Sequence, residues 1–335
     1  MSRPLSLKAL TTAGLSYILY LAGIIPTIIV FRGGLMGLAY DVPEYKRIRV
    51  IIDSDAACEA DDPFAIAHAL MSKKLEVRAI FAEHFGAFGT VKKSYEEIKT
   101  IVSAMKIDVP ILMGEDEKLP RIPKGELSPA AKYLIEEAKR EDKKPLYVLC
   151  LGAITNVASA IRECPEIIGR MTVVWIGGQS LENPNPYFRE FNSGNDIEAA
   201  NFVLSSGVQL WLIPFPVYST MHIGLAEIQR RIYPCGEIGR HLFENMISYN
   251  CSEFAGWTAG ESWSLGDSPA VGVALDPNCG SYEYIAAPII REDTTYEEIL
   301  PEKRPKIRIY KSINSRFILE DFIAKLELIY GGLEG

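Results

Sequence analysis

The sequence predicts an α/β fold: an open, mainly parallel, Rossmann-like sheet with helices on both faces. Three observations carry that prediction. Strand-like and helix-like runs alternate along most of the 335 residues, which implies right-handed βαβ units and a parallel sheet. The first run, Val50-Ile51-Ile52, is β-branched and reads as a buried strand, and the apolar spacing from Pro63 onward reads as a helix. Polar residues then gather just after the strand-like runs, at the carboxyl ends where open parallel sheets bind ligands.

Strands are expected at 49–52, 77–82, 146–151, 172–176 and 209–213, with a last one at 307–310. Helices are expected at 63–72, 91–105, 129–141, 156–162, 196–205 and 225–232, with an amphipathic closing helix at 317–329. No internal repeat interrupts the pattern. With 48% hydrophobic and 23% charged residues, the chain can bury a large core. A net charge of -8 and the lack of a Lys/Arg-rich run argue against a nucleic-acid partner, which needs a basic face. The six cysteines show no CxxC pairing and read as free thiols.

Residues 1–45 read as a separate segment and linker, and 46–335 as a single domain. Residues 9–31 carry no charge, and a run of about 20 apolar residues spans a bilayer. The first expectation is therefore an uncleaved membrane anchor, kinked at Pro26. Gly37-Leu38-Ala39 resembles a signal-peptide cleavage site, which would make the protein secreted. A buried helix packed on a cytoplasmic domain is the third possibility. Arg3, Lys8 and Arg32 flank both ends, so charge assigns no orientation.

The turn after the first strand holds five acids: Asp53, Asp55, Glu59, Asp61 and Asp62. Like charges so close raise one another's pKa, and a hard cation with oxygen ligands removes that cost. Helix capping explains one acid at such a turn, not four or five. Cys58, amid these acids, reads as a neutral packing residue. An Asp-x-Asp pair after a strand also suits an Asp-nucleophile phosphatase, but Asp61-Asp62 opening the helix does not.

Further clusters follow later strands. His84 and the loop Gly86–Gly89 follow the second, and Gly152-Ala153-Ile154-Thr155-Asn156 the third. Gly177-Gly178 leads into a loop with Asn183, Asn185, Glu190, Asn192 and Asp196, groups suited to sugar hydroxyls. Asp267 precedes an Ala/Val-rich helix as either its N-cap or a metal ligand from a distant segment. His68 and His241 fall within helices and read as structural, while His222 lies in a loop and stays undecided. No G-x-S-x-G, P-loop or G-x-G-x-x-G follows a strand.

These clusters, in this order, resemble the inosine–uridine-preferring nucleoside hydrolases from about Arg47 to the C-terminus. The opening turn is similar to a subset reading D-x-D-x-x-N-E-x-D-D, with Cys58 in place of Asn. Leu151-Gly152-Ala153-Ile154-Thr155-Asn156 matches G-x-L-T-N, Glu190-Phe191-Asn192 with Asp196 matches E-F-N-x-x-x-D, and Asp267 matches the Asp of H-D-P. The resemblance implies a Ca²⁺-dependent hydrolase that cleaves the N-glycosidic bond of a nucleoside, with a homodimer or homotetramer as the common assembly. It implies that Asp55, Asp62, Asp267 and the Leu151 carbonyl hold Ca²⁺, with Asp55 also taking a proton from the attacking water. Asp61, Glu190 and Asn192 would hold ribose hydroxyls, with Asn183 or Asn185 as a further contact. The family histidine before the last Asp is Gly266 here, leaving Trp263, Glu261 or His84 on the leaving-group side. A catalytically weak relative that only binds a ribosyl ligand is the alternative.

Overall fold

The computed structural model describes residues 37–297 and 300–332. The main chain builds β1 (Ile48–Ser54), β2 (Leu75–Ala82), β3 (Ile111–Met113), β4 (Leu146–Cys150), β5 (Met171–Ile176) and β6 (Gln209–Ile213). A short ribbon follows, β7 (His222–Gly224) with β8 (Ser262–Ser264), then β9 (Tyr282–Ala286) and β10 (Lys306–Tyr310). Eight of these strands form one sheet in the order β3-β2-β1-β4-β5-β6-β10-β9, parallel except for β9. The order runs outward in one direction through β2 and β3, and in the other from β4. The switch point therefore lies between the carboxyl ends of β1 and β4, where such sheets hold ligands.

Helices cover both faces, as expected for strands with buried side chains on either side. One core packs α1 (Asp62–Leu70) and α2 (Thr90–Met105), and the other α3 (Pro129–Lys139), α4 (Thr155–Glu163) and α6 (Ile197–Ser206). Between α4 and α6 comes the single-turn α5 (Phe191–Asn195). After β6 come the short α7 (Phe215–Tyr218) and α8 (Leu225–Glu227). The first core is completed by α9 (Gly236–Asn250), α10 (Ser268–Leu275) and α11 (Ser315–Tyr330). Local chemistry sets the helix ends. The Ser128 hydroxyl caps α3 by accepting from Ala131 N at 3.1 Å, and Pro129 fits the first turn, where its missing N–H costs nothing.

The sequence places six of the eight sheet strands and leaves out β3, β9 and the β7–β8 ribbon. The three-residue strands β3, β7 and β8 are too short for periodicity to register. All six cysteines are free thiols. His68 bonds Asp321 at 2.8 Å and His241 bonds Glu97 at 2.6 Å, so both are held by packing partners.

The membrane expectation needs correction. Among the described residues no helix is long and apolar enough to cross a membrane. The longest, α2 and α11, have 16 residues and span about 24 Å at 1.5 Å per residue, short of a hydrocarbon core of about 30 Å. The run 9–31 lies outside the described residues, and membrane association has no support.

At its buried start, β1 is tied to α3 by one ion pair. Arg49 donates to Glu137 Oε1 at 2.9 Å, and Glu137 also faces Arg78 at 3.3 Å and Arg140 at 2.7 Å. Glu137→Ala strands a buried guanidinium and should destabilise the protein by roughly 3–5 kcal/mol. The double variant Arg49→Met/Glu137→Leu should recover most of that loss in a urea titration.

Candidate active site

The chain leaves β1 through Asp53, Ser54 and Asp55, turns, and enters α1 at Asp61-Asp62-Pro63. Asp61 is the N-cap of α1 and Asp267 the N-cap of α10, yet neither side chain makes a capping hydrogen bond. Capping therefore does not account for these acids. Carboxylate oxygens of Asp61, Asp62 and Asp267 all lie within 4.8 Å of one another, and all three residues are buried. Ser54 Oγ donates to Asp62 Oδ1 at 2.5 Å and fixes that carboxylate's direction.

Asp55, Leu151 and Asn192 line the same small cavity as this triad. Gly152 lets Asp55 close onto the end of β4: a Cβ there would come within 2.3 Å of Asp55 Oδ1. Asn192 Nδ2 donates to the Leu151 carbonyl at 2.6 Å and the Ile176 carbonyl at 3.0 Å, bridging the tips of β4 and β5. Glu190 lines the cavity too, but both its oxygens are occupied. Oε1 accepts from Asn192 N at 3.1 Å and Tyr218 OH at 3.0 Å, and Oε2 from Gly178 N at 2.8 Å and Ser193 N at 2.9 Å.

Burial first, then mutual repulsion, holds Asp55, Asp61 and Asp267 well above the usual carboxylate range. Burial raises Asp62 as well, opposed by the Ser54 hydrogen bond. Asp53 and Glu59 are each pushed up to about 7 by burial, with Asp62 adding to Glu59. Burial and the same acids push the Cys58 thiol up, keeping it neutral. Four buried carboxyls that cannot all ionise together are a suitable oxygen donor set for a hard divalent cation. The residues present fit such an ion.

Other candidates lie elsewhere. Asn183 and Asn185 sit exposed on the 181–189 loop, and neither lines the cavity. His84 is buried behind the site, where Nδ1 accepts from Gly86 N at 3.1 Å. Its Nε2 then carries the proton and donates to Thr155 Oγ1 at 2.9 Å, and Thr155 donates to Asp196 at 2.9 Å. Trp263 is buried in β8 against Tyr249 and Trp257, and its indole nitrogen has no hydrogen-bond partner among the described residues.

The acidic cavity opens, past Glu59, Asp61, Phe191, Tyr218 and Gly266, into a second one of about 750 Å³. Its walls include Phe188, Phe215, Tyr249, Phe254, Trp257 and Trp263. Their faces suit a flat heteroaromatic ring. Tyr218 joins both cavities and was not singled out from the sequence, although it lies just past β6, where the strand-tip rule applies. The aromatic wall carried no motif. Its members are scattered from residue 188 to 263 and meet only in space.

The sequence model of the family described as inosine-uridine preferring nucleoside hydrolase matches residues 50–319. The chain belongs to this family. The pyrimidine-specific ribonucleoside hydrolase RihA of Salmonella typhimurium is 28% identical over 205 residues, covering 54% of this chain and 64% of the relative. This chain thus spans just under two thirds of that relative's length. RihA of Salmonella arizonae is 27% identical over 236 residues, covering 62% of this chain and 74% of its own. Solved structures share the fold. A plant nucleoside hydrolase superposes with a TM-score of 0.70 at 18% identity, over 83% of this chain and 98% of that one. A purine-preferring ribonucleoside hydrolase from Gardnerella vaginalis gives 0.67 at 19%, over 84% and 99%.

In cation-free protein Asp53 and Glu59 carry stability that is complete below their unfolded pKa of about 4 and is lost as pH rises through about 7. With chelator present, the thermal midpoint should therefore fall between about pH 5 and pH 8. Added Ca²⁺ should raise it, and more at the upper end. A midpoint that Ca²⁺ leaves unmoved at both pH values would count against a cation site.

Proposed function

We propose that this protein hydrolyses the N-glycosidic bond of a ribonucleoside or related N-riboside, releasing ribose and free base, with Ca²⁺ as its metal. The observation that carries this reading is the junction of two cavities. One presents Asp55, Asp61, Asp62 and Asp267, and the other, reached past Tyr218 and Gly266, is walled by aromatic rings. A polar sugar bonded to a flat base has the same two-part chemistry.

Asp62, Asp267, Asp55 and the Leu151 carbonyl would hold the ion. A carbonyl oxygen has two lone pairs, so Leu151 can accept from Asn192 and still face a cation. Bound Ca²⁺ supplies charge that orients a water and lowers its pKa. Asp55 takes the proton from the attacking water as the new C–O bond forms. Asp61 and the Asn192 carboxamide oxygen accept from ribose hydroxyls. Glu190 acts through others: with five donors on its two oxygens, it positions Asn192, Ser193 and Tyr218. The buried carboxylates and amides together stabilise the oxocarbenium-like sugar. No covalent glycosyl-enzyme is required.

A second reading, a protein that binds a ribosyl ligand without turning it over, is favoured by the absence of a side chain at Gly266 on the leaving-group side. Both are tested by incubating the full-length chain with Ca²⁺ and a panel of purine and pyrimidine nucleosides and measuring free ribose. Hydrolysis predicts release that Asp55→Ala lowers by about 10²–10⁴-fold. Ca²⁺-dependent binding with no release from any nucleoside supports the second reading instead. Gly152→Ala pushes the Asp55 carboxylate out of place and should lower ribose release on the order of 100-fold. Its thermal midpoint should change little.

A further inference from the structure

Breaking a C–N glycosidic bond leaves an electron pair on the base, and an ordinary base departs easily only if a proton meets it. Asp55 serves the water side. The leaving side is the aromatic cavity, and the titratable or charged groups that line it are Glu59, Asp61, Arg189, Tyr218, Tyr249 and His222.

Five of the six are unsuited to the task. Glu59 and Asp61 lie at the sugar end, among the carboxylates a cation would hold ionised. Arg189 gives its guanidinium hydrogens to the carbonyls of Glu292 and, at 2.9 Å, Gly194, and it does not deprotonate in proteins. The Tyr218 hydroxyl donates to Glu190, and burial holds it well above its ordinary pKa. Burial likewise pushes Tyr249 up. His222 remains, exposed on β7, and no described residue hydrogen-bonds its ring.

Strand pairing accounts for its placement. In the antiparallel ribbon, His222 faces Ser264 and Ile223 faces Trp263, and Leu265 N donating to Met221 O at 3.0 Å carries the pairing to the edge of Gly266. Directly opposed residues project to the same side of a ribbon, and so do residues two apart on one strand. His222 therefore shares a side with Ser264, and both line the aromatic cavity together with Gly266, which lies in the turn just past β8. Position 266 itself is confined, since a Cβ there would meet Tyr218 Cδ2 at 3.1 Å and Asp61 Oδ2 at 3.3 Å. A side chain at position 266 has little room, whereas the imidazole on β7 lines the same cavity.

We propose that His222 protonates the departing base. This rests on the hydrolase reading above. As the water oxygen bonds to C1′, the C1′–N bond breaks and its electron pair passes to the base. The imidazolium gives its proton to a ring nitrogen of that base while Asp55 takes one from the water. Solvent then returns a proton to His222 and removes one from Asp55, so the net reaction is N-riboside plus water to ribose plus neutral base.

The experiment uses the full-length chain with Ca²⁺ and substrates that differ in leaving group. Inosine and uridine need a proton on the base. Nicotinamide riboside, an N-ribosylpyridinium, releases a neutral base with no proton. His222→Gln should lower ribose release from inosine or uridine by about 10²–10⁴-fold. It should leave nicotinamide riboside within about threefold, and added imidazole should restore part of the loss. Equal losses on both substrate types, or no loss on either, overturn the proposal. So does selective loss in Glu59→Gln with none in His222→Gln, or an unaltered protein that turns over nicotinamide riboside alone. No ribose from any substrate with the unaltered protein overturns the hydrolase reading itself, and the proposal with it.

Discussion

The mutual repulsion of buried carboxylates at the tip of β1 is the constraint on which the rest of the site depends. Asp55, Asp61, Asp62 and Asp267 are each less than a tenth exposed, and burial makes their ionised forms costly. Two features of the fold make the cluster tolerable. The N-termini of α1 and α10 both end on it, and the positive end of a helix dipole favours negative charge. The site also lies at the switch point, where the chain leaves β1 and β4 on diverging paths and a crevice opens. The four carboxyls still cannot all ionise together, which makes them a suitable donor set for a hard divalent cation.

Behind that cluster lies a second set of buried polar groups that does not line the cavity. Asn156 donates from Nδ2 to Asp53 Oδ1 at 2.8 Å and from its backbone to Glu83 Oε2 at 3.2 Å, while its Oδ1 accepts from Glu115 N at 2.8 Å. Asp196 accepts from Thr155, from Leu119 N at 2.7 Å and, as the cap of α6, from Ala199 N at 3.0 Å. These bonds join β1, the loop after β2, α4 and α6 into one frame beneath the cavity. Residues at strand tips therefore divide into those that face the cleft and those, such as His84, Asn156 and Asp196, that hold the tips in register.

That division explains which parts of the site were legible in the sequence. Asp55, Asp61, Asp62, Asp267, Leu151, Glu190 and Asn192 all follow strand-like runs or open helices, and the structure gathers them around one cavity. Asn183 and Asn185 carry the same chemistry in the same stretch, yet the loop bends so that they face solvent. Residue type and spacing do not encode that bend. The aromatic wall was illegible for a related reason. Tyr218, Tyr249, Trp257 and Trp263 each look like ordinary core or surface residues until α7, the end of α9 and β8 are brought together.

By itself, the sequence determined the layered α/β architecture and the acidic turn, because these rest on local periodicity and on charges a few residues apart, while its ordered motifs carried the family resemblance. The strand order and the second cavity were decided only by tertiary structure. So were the confinement of Gly266 and the place of His222 on the wall of that cavity. These depend on contacts between segments far apart in sequence, such as Tyr218 and Asp61 against position 266. Local propensity carries no information about such contacts.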